Sequence, residues 1–140
     1  MSRFRFSLER VLEIRSSQER VAAAALAAAN AKLAASGDIL HGLMNDLRAV
    51  RQSLSEGGLP PAMAMQLEAG LRVGIGNAAR ESDRRREEVV RCEAAWREGQ
   101  RKREFLEKLR RSRLDDFVAA EKRQVETCLD EWVVQRHVRA

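Results

Sequence analysis

The chain has 140 residues, with 26 Lys and Arg against 21 Asp and Glu, a net charge of +5. Ala, Glu, Lys, Leu and Arg make up 55% of it and tyrosine is absent, which excludes a sheet-based fold and points to long helices in one domain at most. The longest apolar run, Val21 to Ala29, is nine residues, so a membrane-spanning helix, which needs about 20, is excluded as well.

In chain order, the basic opening Met1–Arg5 resembles the start of a signal peptide. Glu9, Arg10 and Glu13 interrupt the apolar segment that should follow, so a cytoplasmic location is expected. Leucines then recur every seven residues at Leu26, Leu33, Leu40, Leu47 and Leu54, with Leu12 in the same phase. The interleaved positions are Leu8, Arg15, Ala22, Ala29, Ser36, Leu43 and Val50. A 3.5-residue apolar period demands a partner helix in a left-handed supercoil. Arg15 and Glu19 are the exceptions. Ten of the fourteen residues from 22 to 35 are alanine, the best helix former. The first helix is predicted over about 7–55, with Ser7 as its N-cap.

Glu56-Gly-Gly-Leu-Pro-Pro61 is the strong breaker and predicts a turn at 56–61. A second helix follows over about 62–138. Its expected seam is Leu67, Leu71, Ile75, Ala78, Val89, Cys92, Trp96, Leu106 and Leu109, and Gly70, Gly74 and Gly76 predict bending or fraying within it. A short loop between long helices makes an antiparallel hairpin. The fold class is therefore all-α, an antiparallel two-helix coiled-coil hairpin with a longer C-terminal helix. Folding about residue 58 pairs position i with roughly 116 − i and leaves nearly 30 residues of the second helix beyond the first, about 40 Å at helical rise. That overhang carries a stripe of Leu114, Val118, Val125, Leu129 and Trp132, broken at Glu121, and nothing else in the chain is left to cover it. Such a face calls for another protein.

The chemical motifs are weak. Gly74-x-Gly76-x-x-Ala79 has the glycine spacing of a dinucleotide site but follows a predicted helix instead of a strand. Asn77 and Arg85 have basic-zipper spacing, but Glu81, Asp83, Glu87 and Glu88 dilute the charge and the leucines that should follow are missing. No nucleic acid and no small-molecule substrate is expected. Cys92 and Cys128 stand 36 residues apart, roughly 54 Å along one helix, too far for an internal disulfide. Neither they nor His41 and His137 have metal-ligand spacing, and no nucleophile with a base can be nominated, so no enzyme, cofactor or metal is expected. Residues 97–113 carry eight Lys or Arg and three Glu. They form either a solvated face laced with ion pairs or a docking surface for an acidic partner or anionic lipid heads.

Phe4, Phe6, Leu8, Val11, Leu12 and Arg15 spell F-x-F-x-L-x-x-V-L-x-x-R ahead of a charged, alanine-rich helix. This opening resembles that of the FliJ family, the coiled-coil proteins of the flagellar type III export apparatus, and the length and the hairpin with a longer second helix are similar too. The resemblance implies a non-enzymatic stalk and general chaperone, cytoplasmic and peripheral at the inner face of the bacterial cell membrane. It would dock on the hexameric export ATPase, link it to the export-gate membrane protein and meet export chaperones. On that basis Phe4, Phe6, Leu8 and Val11 with Val125, Leu129 and Trp132 are the expected ATPase-facing set. Leu40, Leu43, Leu47, Leu71 and Ile75 are the expected gate-facing set. The alternatives are the equivalent stalk of a virulence secretion system and an unrelated coiled coil that dimerises through the overhang.

Overall fold

The computed structural model describes residues 2–139. Two helices account for nearly all of them, α1 (Glu9–Ser55, 47 residues) and α2 (Pro61–Arg139, 79 residues), packed as an all-α helical hairpin with no strand among the described residues. Ser7 is not the cap: the first helical residue is Glu9, whose N–H meets the Phe6 carbonyl at 3.1 Å, with Leu12 N–H on Leu8 O at 2.9 Å. A carboxylate in the first turn suits the helix dipole.

The glycine pair ends α1 in a Schellman turn. Gly58 N–H reaches Ser53 O at 2.9 Å, Gly57 N–H reaches Leu54 O at 3.2 Å, and Gly57 takes a φ of 75°. These are the 6→1 and 5→2 bonds of that motif, and they need a left-handed residue at the place Gly57 occupies. Pro61 opens α2, where its missing N–H costs nothing, and Pro60 O accepts from Ala64 N–H at 3.0 Å.

The chain packs as two units, Arg20–Arg97 and Met1–Glu19 with Glu98–Ala140. In the first, every heptad position of α1 from Ala22 to Val50 is buried or half-buried. The α2 side follows an equally regular heptad, Ala64, Leu71, Ala78, Arg85 and Cys92 with Glu68, Ile75, Ser82, Val89 and Trp96, all covered to some degree. Leu67 is not in the seam. It is 44% exposed while Ala64 is 1% exposed, because the heptad runs through Ala64, Glu68 and Leu71 and passes Leu67 by. Residues 70, 74 and 76 do not break α2, which is continuous through them. Gly74 faces α1, where a Cβ would make ordinary contact with Leu43 Cδ1 at 3.6 Å. Arg51 pairs with Glu68 at 3.0 Å, where folding about residue 58 would have placed residue 65. Long side chains bridge that difference: Leu43 approaches Gly74 and Glu19 approaches Gly99, each within two residues of the simple fold.

In the second unit, residues 2–6 lie as non-helical chain against α2. Phe6, Leu12 and Leu106 are its buried core. One polar exception of the α1 heptad, Glu19, finds its reason here. Glu19 pairs with Arg103, and Arg103 also holds Glu107 at 2.8 Å. Glu9 pairs with Arg110 at 2.9 Å. Gly99 lies against the backbone of α1, where a Cβ would make ordinary contact with Glu19 Cα at 3.5 Å.

Candidate partner-binding surface

The part of α2 beyond the first helix was expected to be uncovered from Leu114 onward, and the structure corrects this. Phe4 packs on Phe117 with ring centroids 5.5 Å apart and tilted by 54°, Arg110 stacks over Phe4 at 6.0 Å, and Ser2 bonds Glu121. The N-terminal chain thus covers α2 as far as residue 121, and Leu114, Phe117 and Glu121 are half-buried. The sequence reading assigned the phenylalanines to a partner and so overlooked them as cover. From Lys122 to Arg139 every residue is exposed.

The exposed stretch is not polar. Val118, Val125, Leu129 and Trp132 are each slightly more than half exposed. Their spacings of seven, four and three residues keep them on one face of the helix, with the same seven-residue repeat as the seam. Trp132 is steadied by Arg136, whose guanidinium lies 5.1 Å from its ring centre. Ser2, Glu121, Gln124, Val125, Cys128 and Leu129 enclose an open groove of about 620 Å³ at the near end of this face.

The seven residues expected to face an ATPase therefore fall into two groups within one unit. Val125, Leu129 and Trp132 are open to solvent, and Val11 is partly so. Phe6 is a core residue at 9% exposure, Leu8 is half-buried and Phe4 is half-buried against Phe117. Leu40, Leu43, Leu47, Leu71 and Ile75, the expected gate-facing set, are all half-buried in the seam of the other unit. The open apolar side chains nearest them in sequence are Ile39, Met44 and Val73. Phe105 escaped the sequence reading altogether. It is 66% exposed, and its one signal was an aromatic residue off the heptad in a charged segment.

Two electrostatic features belong to the seam. Glu68 accepts from both Arg51 and Arg72, and these hydrogen bonds, Arg51 first, hold its carboxyl below the usual 4.5. Arg103 is held still more firmly in its charged form than an ordinary arginine, first by its bond to Glu19 and then by Glu107. Among the described residues no group of three or more His, Cys, Asp or Glu is placed to hold a metal ion, and no helix is long and apolar enough to cross a membrane.

The family profile described as Flagellar FliJ protein matches residues 4–140, essentially the whole chain. The chain belongs to the FliJ family. It is a flagellar export-related coiled-coil protein. The match begins at Phe4, the residue that packs against Phe117, and runs through the exposed end of α2. No curated protein and no solved structure shows significant similarity to the chain.

Proposed function

We propose that this protein is a non-enzymatic stalk and chaperone of the flagellar export apparatus that docks on the hexameric export ATPase through the exposed end of α2. The observation that carries the reading is the run from Lys122 to Arg139, exposed throughout yet bearing the Val125, Leu129 and Trp132 face. A helix with an apolar face and no cover gains most by inserting into a groove of another protein, and tryptophan is the commonest anchor of such contacts. Phe4 and Phe6 support this docking end by bracing α2, and Val11 lies on the open side of the same unit. The link to the export-gate membrane protein falls to the half around Leu40, Leu43, Leu47, Leu71 and Ile75, through the exposed Ile39, Met44 and Val73 beside them. Export chaperones are met in the same setting, at the inner face of the bacterial cell membrane. Family membership favours the flagellar system over a virulence secretion system.

Binding of purified export ATPase to the full chain, to Trp132→Ala and to a chain ending at Glu121 tests this. Trp132→Ala is expected to weaken binding roughly 30-fold, the loss of a hot-spot anchor of about 2 kcal/mol, and the truncation to abolish it. Undiminished binding by the truncated chain would overturn the proposal. If light scattering instead shows a dimer that the truncation dissolves, the apolar face serves self-association.

A further inference from the structure

A second surface in the same unit stands apart from the exposed end of α2 and does not rest on the ATPase reading. Val11 and Phe105 flank a groove of about 400 Å³ between α1 and α2, floored by Leu106 and rimmed by Arg15, Arg101 and Lys102. Leu106 is buried and fills the seam position, so the fold gains nothing from a neighbouring phenylalanine left two-thirds in water. Helix propensity does not call for it either, since phenylalanine ranks below leucine, alanine and lysine. Ile14, also exposed, is one turn along α1 from Val11 and continues the apolar surface.

The rim is under-neutralised. Arg101 and Lys102 share a single carboxylate, Glu98, and Arg15 bonds the neutral Gln18 at 3.1 Å. Three cations thus stand against one anion, and the segment of α2 that supplies Arg101 and Lys102 (97–113) is itself +5. An apolar floor between two helices with cations on both banks matches a third helix that carries apolar residues on one face and carboxylates beside them. A flat lipid surface fits less well, because Leu106 lies buried between the helices, where a side chain can reach it and a flat surface cannot. The chain's own exposed face is a poor occupant, because it sets Lys122 and Arg136 as well as Glu121 beside its apolar residues and so brings no net negative charge to the rim.

We propose that the Val11–Phe105 groove is a docking site for an acidic amphipathic helix of another protein, its apolar side chains seated on Phe105 and Leu106 and its carboxylates on Arg15, Arg101 and Lys102. The test places p-benzoylphenylalanine at position 105 of the full chain in flagellated cells, irradiates them, and sequences the cross-linked segment by mass spectrometry. The expected product is a segment of net negative charge with apolar residues three or four apart. Its yield should fall at least fivefold in an Arg101→Glu, Lys102→Glu background whose helical circular dichroism and thermal midpoint match the parent. Four outcomes would overturn the proposal: no product, a product within this chain or with lipid, a neutral or basic segment, or a yield indifferent to the charge reversal. Loss of ATPase binding by Trp132→Ala with this cross-link intact would show the two surfaces to be separate.

Discussion

Glu19 sits at a heptad position that should be apolar, and its side chain is only 15% exposed. Such a carboxylate is tolerable when a cation is brought to it, and Arg103, itself supported by Glu107, is that cation. Removing one partner strands the other, so Glu19→Ala is expected to lower stability by about 2 kcal/mol, measured by urea unfolding. The double change Glu19→Leu, Arg103→Leu is expected to recover most of that loss, since an apolar pair of similar volume is no worse than a buried ion pair. Glu68 adds a pH dependence of known sign. Its carboxyl is acidified in the folded chain by Arg51 and then Arg72, so its contribution is complete above the ordinary value of 4.5 and is lost as the pH falls below it. Glu68→Gln should accordingly flatten the acid limb of a plot of thermal midpoint against pH. If the limb keeps its slope, other carboxylates dominate it. Neither pair was legible beforehand. Glu19 stood out as a break in the α1 pattern, but its partner Arg103 is reached across the seam by long side chains and is not the residue that folding about residue 58 sets opposite it.

The two helices differ in how openly they announce themselves. In α1 the leucines and alanines of the heptad are the covered residues themselves, because nearly every seam position there is apolar. In α2 the same period is kept by Ala64, Glu68, Ser82, Arg85, Gly99 and Arg103, and a search for large hydrophobes passes over them. Leu67 stands out for its size but is off the heptad and exposed, whereas Ala64 is on it and buried. The glycines divide in a similar way. Gly57 holds a φ of 75°, so Gly57→Ala is expected to cost about 1 kcal/mol. Gly70 is helical, and a methyl group added to it would have nothing within 4 Å, so Gly70→Ala should stabilise by about the same amount. Thermal melts of the two variants should move in opposite directions. A lowered midpoint for Gly70→Ala would show that a methyl group there meets a neighbour.

On the scale of the whole molecule, the two ends of the chain decide how much of α2 is free. Residues 2–6 do not extend α1. They lie along α2, and through Phe4 and Ser2 they reach Phe117 and Glu121. Beyond that point every described side chain is exposed, so a chain ending at Glu121 should have a stability within about 0.5 kcal/mol of the full one, as for surface changes generally. A larger loss in urea unfolding would mean that the exposed run contributes to folding, and its use as a docking element would lose its main support.

Composition and period by themselves determined that the chain is two long helices joined at one turn. Alanine-rich helical stock, a seven-residue leucine repeat and a Gly-Gly-Leu-Pro-Pro breaker are local properties, and each acts through a few neighbouring residues. Only the tertiary structure decided which half of the second helix is covered, which polar residues sit in the seam, and that Phe6 is core while Phe105 and Trp132 face water. Those outcomes depend on the register between the helices and on where the N-terminal chain comes to rest, and both arise from contacts between residues far apart in the sequence.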